Sequence, residues 1–246
     1  MTERSTGRLI GVGTGPGDPE LLTLKAARAI AEADVVAHFA KKGNSSNARR
    51  TVASLLRPDV IELPLLYPVT TEIATSENGY KSQISCFYEE AAASVAGHLS
   101  EGRTVAVLSE GDPLFYGSYM HLHVRLADRF ATEVIPGITA MSGCWSQGGV
   151  PIVQGDDVLT VLPGTMRGEE LSRRLGDTDA AIIMKVGRNL AKIRAALAEA
   201  GKLGEAIYVE RGTMENSYVT RLADKADDDA PYFSIVLVPG WRERQR

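Results

Sequence analysis

Three glycine-bearing turns, each directly after an apolar run that predicts a β-strand, carry the strongest chemical signal in the sequence. They lie at residues 15–18 (Gly-Pro-Gly-Asp), 111–113 (Gly-Asp-Pro) and 136–139 (Pro-Gly-Ile-Thr). Glycine permits positive φ and close approach of the backbone, so such turns present main-chain N–H and C=O groups to a ligand. If the preceding strands are parallel, the three turns meet at the carboxyl edge of one sheet, where open α/β sheets bind ligands.

The first turn does not match the common phosphate-binding motifs. After Gly11 and Gly13, the dinucleotide fingerprint needs a third glycine where Pro16 stands, and no acidic residue follows about twenty positions later to bind a ribose. No Gly-Lys-Ser/Thr follows either, and no basic side chain lies beside the three turns, so a polyphosphate ligand is not favoured. Considered alone, the first turn could be purely structural. This alternative is less favoured because three turns share the same pattern.

The elements that position these turns follow from the hydrophobic pattern. The first half alternates short apolar runs with helical stretches, which predicts a parallel sheet. We predict strands at residues 9–12, 34–37, 60–66, 104–108 and 133–135, and helices at 19–33, 48–56, 80–101 and from 118 to about 129. A second α/β segment has predicted strands at 158–162, 180–186, 207–210 and 233–238, and helices at 167–175 and 189–200. The predicted fold class is therefore α/β, with two α/β domains at residues 1–138 and 139–246.

Composition narrows the function classes. The chain has 246 residues and a net charge of −4, which argues against a nucleic-acid partner. Its two cysteines, Cys86 and Cys144, give neither a disulfide framework nor metal-site spacing. The sequence shows no signal peptide and no apolar run long enough to span a bilayer, so we expect a cytoplasmic protein without a membrane partner.

In order and spacing, the three turns resemble those of the tetrapyrrole methylase family, the methyltransferases of corrin and sirohaem biosynthesis. Residues 183–186 (Ile-Met-Lys-Val) and 211–213 (Arg-Gly-Thr) resemble two further motifs of that family, and the similarity extends over about residues 9–240. The resemblance implies a ligand trough between two α/β domains, a homodimer, and S-adenosylmethionine (SAM) as the methyl donor. It implies SAM-binding roles for Gly111, Asp112, Pro113, Thr139, Ala140, Met184, Gly212 and Thr213. It places the first turn on the tetrapyrrole side, so the expected substrate-binding residues are Gly15, Pro16, Gly17 and Asp18, together with Tyr116.

Within this family, the sequence is most similar to the members that methylate carbon 20 of precorrin-2 in cobalamin biosynthesis. The similarity lies in residues 63–88, 111–120 and 233–238. Two alternatives stay open. One is another tetrapyrrole methylase, acting on cobalt-factor II or uroporphyrinogen III. The other, from a different class, is a non-catalytic, dinucleotide-binding Rossmann-like protein.

Methyl transfer from a sulfonium depends on alignment and desolvation and does not require a nucleophilic side chain. The sequence shows no evident candidate for such a nucleophile. The methylated carbon must later lose a proton. Glu110, at a strand end beside the second turn, is a candidate base, although a capping or ion-pairing role is favoured. Asp112 is favoured as a positioning group or turn former over a base.

Several other polar and aromatic residues have both a functional and a structural interpretation. Lys41, Lys42, Arg49 and Arg50 form a basic cluster that either steers the substrate's carboxylate arms or is a solvated loop. Tyr67, Tyr80, Tyr116 and Tyr119 either contact the macrocycle or belong to the core. His38 is expected to be structural. His121 and His123 lie two apart on a predicted helix and cannot share a face, so no metal site is expected.

Overall fold

A computed structural model describes residues 7–68 and 78–240 of the chain. The chain divides into two compact units, Met1–Thr139 and Ala140–Arg246. Residues 69–77, which belong to the segment 63–88 of the sequence analysis, lie outside the described residues, as does the side chain of Tyr80.

The first unit contains a five-stranded parallel sheet. Its strands are β1 (Arg8–Gly13), β2 (Val35–Lys41), β3 (Ile61–Tyr67), β4 (Val105–Ser109) and β5 (Ala131–Ile135). They lie in the order β3-β2-β4-β1-β5, and each neighbouring pair is parallel. Val12 of β1 pairs with Leu108 of β4 and with Ile135 of β5, so these three strands end at the same level. The predicted parallel sheet is confirmed.

Helices cover both faces of this sheet. They are α1 (Leu24–Glu32), α2 (Asn47–Thr51), α3 (Asn78–Ser100) and α4 (Tyr119–Leu126). One core cluster joins Val35, Val107 and Leu99 of α3, and a second joins Val36 and Ala106 to Ile30 of α1 and other residues. The central strands β1, β2 and β4 are buried almost throughout, and their sequences are correspondingly apolar, as those of central parallel strands usually are.

The continuous helix predicted at residues 19–33 is wrong. Asp18 caps only a 3-10 turn, Pro19–Leu21, by accepting a hydrogen bond from the Glu20 backbone N–H at 2.8 Å. Leu22 is then extended, and α1 begins after a second cap, Thr23, whose hydroxyl accepts from the Ala26 N–H at 3.1 Å. Two capping residues within six positions therefore divide the helical pattern.

The second unit has a mixed sheet. Its elements are α5 (Ala140–Gly148), β6 (Leu159–Pro163), α6 (Gly168–Gly176), β7 (Ala180–Met184), α7 (Leu190–Glu199), β8 (Ile207–Glu210), β9 (Tyr218–Arg221) and β10 (Ser234–Val238). The strands lie in the order β6-β7-β10-β8-β9. The pair β6 and β7 is parallel, and the other three neighbouring pairs are antiparallel. The α/β class is confirmed for both units.

Two details of the second unit differ from the sequence prediction. Strand β9 was not predicted, because it is a four-residue edge strand with three exposed residues and gives little hydrophobic pattern. The strand predicted at 180–186 ends at Met184, since the next residue, Lys185, adopts a positive φ of 56° that a strand cannot contain.

Candidate active site

The first and second predicted turns are joined by backbone hydrogen bonds at the carboxyl edge of the first sheet. Gly111 donates its N–H to the Gly15 carbonyl at 2.8 Å, and Gly15 donates to the Gly111 carbonyl at 3.3 Å. Just before them, the Thr14 N–H donates to the Ser109 carbonyl at 2.8 Å. Gly15 and Gly111 have φ values of 74° and 65°, which glycine adopts without the steric cost of a Cβ.

The third turn packs directly against the other two. A Cβ added to Gly137 would lie 2.1 Å from the Gly111 carbonyl oxygen and 2.9 Å from the Gly13 Cα. A Cβ added to Gly13 would lie 2.5 Å from the Gly137 nitrogen. Glycine is therefore required here for close approach, and the structure brings all three turns to one edge, as the sequence predicts.

The Asp112 carboxylate stabilises the second turn and links it to the third turn. Its Oδ1 accepts a hydrogen bond from the Leu114 N–H at 2.9 Å, and its Oδ2 accepts from the Gly137 N–H at 3.2 Å. Both carboxylate oxygens thus bind backbone donors. This geometry is that of a turn former and positioning group.

Tyr116 is the most exposed of the three candidate tyrosines whose side chains the structure describes. The residue is 46% exposed and has a φ of 54°. Tyr119, in contrast, is fully buried, and a Cβ on Gly11 would lie 2.3 Å from its ring. Burial raises the pKa of Tyr119 to about 12. Tyr119 therefore belongs to the core, where only a glycine at position 11 leaves room for it.

An aromatic cluster is hydrogen-bonded to Ser118, two residues after Tyr116. Tyr67 and Phe87 have ring centroids 4.7 Å apart, and Phe87 and Tyr88 lie 5.1 Å apart. The hydroxyls of Tyr67 and Tyr88 both bond to the Ser118 hydroxyl, the latter at 3.3 Å. Tyr67 is thus held by the protein itself at the end of β3.

Glu110, the candidate base, has its carboxylate engaged by the start of α2. It accepts hydrogen bonds from the Asn47 side chain and from the Ala48 backbone N–H, close to the positive charge of Arg50. Its pKa is raised, because the surrounding protein reduces hydration of the carboxylate, and the bonds and the charge oppose this rise. The side chain still reaches solvent. This arrangement anchors α2 to the sheet edge and corresponds to the capping role favoured from the sequence.

The four residues of the basic cluster differ in their exposure and in their hydrogen-bond partners. Arg49 makes two hydrogen bonds of 2.8 Å to the Glu62 carboxylate, which lowers the pKa of Glu62. Arg50 bonds to the Asn47 side-chain oxygen and is exposed. Lys42 is exposed, while Lys41 is the last residue of β2 and half-buried. Arg49 therefore has a structural role, whereas Arg50 and Lys42 present their charge to solvent.

His38 is buried in β2 beneath α2. Its Nε2 lies 3.8 Å from a Glu62 carboxylate oxygen, and its Nδ1 has no hydrogen-bond partner among the described residues. Burial lowers the pKa of His38 and keeps the ring neutral near pH 7. This environment is that of a core histidine.

His121 and His123 make contacts with different neighbours. The His121 ring stacks on Tyr88 with centroids 3.9 Å apart, and His123 Nδ1 lies 3.3 Å from the Tyr119 hydroxyl. Within residues 7–68 and 78–240, no three His, Cys, Asp or Glu side chains are grouped so that they could hold a metal ion. No helix in the same described part is both long and apolar enough to cross a membrane.

In the second unit, the ends of β6 and β7 form a paired turn. The Gly164 N–H donates to the Met184 carbonyl at 2.6 Å, and a Cβ on Gly164 would lie 3.0 Å from the Lys185 carbonyl oxygen. The sequence analysis missed Gly164, although a Pro-Gly dipeptide directly after a predicted strand is a turn signal. Gly164 thus allows β6 to end against the Met184 backbone.

The Arg-Gly-Thr segment after β8 is a strained turn. Arg211 and Thr213 have φ values of 46° and 71°, and the Arg211 N–H donates to the Phe233 carbonyl at 2.8 Å. A Cβ on Gly212 would lie 2.6 Å from the Cys144 sulfur. Burial raises the pKa of the Cys144 thiol to about 12, so this sulfur packs as a small apolar group.

Backbone strain in the described part of the chain coincides with the predicted site motifs. The non-glycine residues with positive φ are Tyr116, Lys185, Arg211 and Thr213. Each such residue costs on the order of 1–3 kcal/mol and persists only where its surroundings fix it. Tyr116 and Thr213 are themselves predicted site residues, Arg211 directly precedes Gly212, and Lys185 directly follows Met184. Strain of this kind clusters at ligand-binding sites.

Comparison with known proteins finds related methyltransferases. Over 244 residues, the chain is 69% identical to a precorrin-2 C(20)-methyltransferase from Sinorhizobium sp, covering 99% of this chain and 100% of that protein. It is 28% identical to a cobalt-precorrin-2 C(20)-methyltransferase from Salmonella typhimurium, covering 94% and 96% of the two chains.

The fold also matches solved structures. The structure of a cobalt precorrin-4 methyltransferase, 20% identical, superposes with a TM-score of 0.72 and covers 97% of each chain. The family model for Tetrapyrrole (Corrin/Porphyrin) Methylases matches residues 8–226. The chain therefore belongs to the tetrapyrrole methylase family.

Proposed function

We propose that this protein is an SAM-dependent C-methyltransferase of cobalamin biosynthesis that methylates carbon 20 of precorrin-2. The observation that carries the proposal is the full-length similarity to the Sinorhizobium precorrin-2 enzyme, at 69% identity. Family membership supports the methyl-transfer chemistry, and the full-length identity supports the particular substrate. Family membership also argues against the alternative of a non-catalytic, dinucleotide-binding protein.

For the methyl donor, we propose the residues that the family resemblance implies. These residues are Gly111, Asp112, Pro113, Thr139, Ala140, Met184, Gly212 and Thr213. The backbone of several of these residues is tightly constrained: Gly111 and Thr213 have positive φ, and a Cβ at Gly212 would clash with the Cys144 sulfur. SAM carries no phosphate, which agrees with the lack of basic residues beside the turns at 111–113 and 136–139 in the sequence.

The catalytic contribution of these residues is orientation and exclusion of water. SAM supplies an electrophilic methyl group on a sulfonium whose positive charge is neutralised as the methyl leaves. Fixing two reactants in a near-attack geometry is equivalent to effective molarities of about 10⁵ M or more, so no nucleophilic side chain is required. The two hydrogen bonds of the Asp112 carboxylate, to the Leu114 and Gly137 N–H groups, would keep the second and third turns in that orientation.

For the tetrapyrrole, we propose the first turn, Gly15, Pro16, Gly17 and Asp18, together with Tyr116. Helix α2 contacts this turn, since the Thr51 hydroxyl lies 3.5 Å from the Gly17 carbonyl oxygen. The exposed Arg50 of α2 is therefore close to the turn and offers a cation to an acetate or propionate arm. The exposed ring of Tyr116 offers a surface for stacking.

The oligomeric state and location are part of the same proposal. By family resemblance, we propose a cytoplasmic homodimer with no nucleic-acid or membrane partner. Light scattering coupled to gel filtration should give twice the 26.4 kDa mass of the chain. A monomeric mass at micromolar concentration would contradict the dimer.

Metal-free and cobalt-loaded substrates distinguish this proposal from its nearest alternative. We expect turnover of precorrin-2 and much slower turnover of cobalt-factor II and uroporphyrinogen III. Each substrate should be offered to the purified protein at equal concentration with labelled SAM. Faster labelling of either alternative substrate would assign the protein to another branch of the family.

A further inference from the structure

We infer that Glu210 is a positioning residue for the methyl donor, acting through the turn at residues 211–213. This inference rests on the proposed function, in which Gly212 and Thr213 hold SAM. Glu210 is the last residue of β8, directly before the strained turn. Its carboxylate connects a buried tyrosine to the first residue of that turn.

The two oxygens of Glu210 bind different partners. Oε1 accepts a hydrogen bond from the Tyr208 hydroxyl at 2.7 Å, and Oε2 lies 3.2 Å from Nη1 of Arg211. The Glu210 side chain is only 16% exposed, whereas that of Arg211 is 36% exposed. The carboxylate is therefore shielded from solvent and bridges the core to the turn.

The tyrosine end of this bridge is rigid. Tyr208 is fully buried, and its hydroxyl lies 3.1 Å from the Ser234 hydroxyl, which donates to the Pro231 carbonyl at 2.8 Å. The Lys225 ammonium lies 5.2 Å from the centre of the Tyr208 ring. Glu210 is also paired with Ser234 in the register of β8 and β10. The Glu210 carboxylate is thus held by residues of two paired strands, β8 and β10.

The turn end of the bridge needs such support. Arg211 adopts a φ of 46°, which is unfavourable for a side chain with a Cβ. Its N–H is bound to the Phe233 carbonyl and its own carbonyl accepts from the Met214 N–H at 2.9 Å, so the backbone is fixed on both sides. The ion pair to Glu210 adds a third restraint, on the side chain of the strained residue itself. Because the strain opposes this conformation, loss of one of the three restraints would increase the motion of the turn that presents Gly212 and Thr213.

Two variants test this inference. Glu210→Ala removes both contacts, and Glu210→Gln preserves the volume and an acceptor for Tyr208 but removes the charge that pairs with Arg211. Glu170→Gln is the matched control, because Glu170 also pairs with arginines in the same unit but lies on the surface of α6. The dissociation constant of S-adenosylhomocysteine and the KM values of both substrates are measured on each protein well below its unfolding temperature.

We expect Glu210→Ala to weaken S-adenosylhomocysteine binding and to raise KM for SAM about tenfold, the worth of one charge-assisted hydrogen bond. Glu210→Gln should cause at least about a threefold loss, from the charge-assisted contact to Arg211 alone, and it decides the matter if the alanine variant does not fold. KM for precorrin-2 should change less than about twofold in both, because the precorrin-2 contacts are proposed elsewhere. Glu170→Gln should match the wild type.

The inference is overturned if both Glu210 variants bind S-adenosylhomocysteine as tightly as Glu170→Gln does. It is also overturned if both KM values rise together with a lowered unfolding temperature, as a purely structural residue would produce. Failure of the proposed function gives a different result, because the wild type itself would then not bind S-adenosylhomocysteine or not methylate precorrin-2.

Discussion

Replacement of Gly137 by alanine should separate the turns on which the proposed SAM site depends. The added Cβ would lie 2.1 Å from the Gly111 carbonyl oxygen, whereas ordinary van der Waals contact begins at 3.4 Å. The difference requires one of the two backbone segments to move by about 1.3 Å. No flexible side chain can absorb this movement, because the opposing atoms belong to the backbone of Gly111 and Gly13.

The cost has two parts. Overpacking in a dense region costs typically about 1–3 kcal/mol. Movement of the turn also weakens the hydrogen bond from the Gly137 N–H to Asp112, and bonds to a charged group contribute about 1.5–3 kcal/mol. We therefore expect the free energy of unfolding to fall by about 3 kcal/mol. Displaced donors worth about 2 kcal/mol would weaken S-adenosylhomocysteine binding roughly 30-fold.

Gly97→Ala is the matched control for this experiment. Gly97 lies on the exposed face of α3, and a Cβ there meets nothing within 4 Å. Alanine in an open helix position should stabilise the protein by about 0.5–1 kcal/mol and leave ligand binding unchanged. Urea unfolding gives the stabilities and isothermal titration calorimetry gives the affinities. If Gly137→Ala matches Gly97→Ala in both, the close approach of the turns does not support the site.

Three further variants or probes test other parts of the account. Asp112→Asn should weaken S-adenosylhomocysteine binding about tenfold, because the amide nitrogen cannot accept the hydrogen bond that one carboxylate oxygen accepts. A loss of stability with unchanged affinity would make Asp112 a turn former only. Arg50→Gln should raise KM for precorrin-2 several-fold at low salt and less at high salt. Arg28→Gln is the control, since it removes the same charge at an exposed position of α1, and it should leave KM unchanged. Equal effects of the two variants would refute a local role of Arg50. A thiol reagent at pH 8 should modify the exposed Cys86 in the native protein and reach the buried Cys144, whose pKa is about 12, only on unfolding; rapid reaction of two thiols would contradict the packing of Cys144.

The parallel sheet and its three turns could be predicted because their signals are local. Each turn combines glycine with a preceding apolar run, and parallel strands necessarily place their carboxyl ends at one edge. The roles of the turns in binding SAM or the tetrapyrrole came from the family resemblance, since no side chain in them specifies a ligand.

Other features depend on contacts between distant residues or oppose local propensity. The hydrogen bond from Gly137 to Asp112 joins residues 25 apart in sequence, and the hydroxyl of Tyr208, which binds Glu210, is held by Ser234, 26 residues away. A positive φ at Arg211 contradicts the preference of every residue with a Cβ, so only the folded surroundings can impose it. The edge strand β9 was missed because its residues are mostly exposed.

The position of the transferred methyl group tests the central claim most directly. The purified protein is incubated with precorrin-2 and SAM carrying a ¹³C-labelled methyl group, and the product is analysed by NMR. The account predicts a single new labelled methyl group, bonded to carbon 20 of the macrocycle. Label on a different carbon, or SAM bound by the protein with no label transferred to precorrin-2, would contradict it.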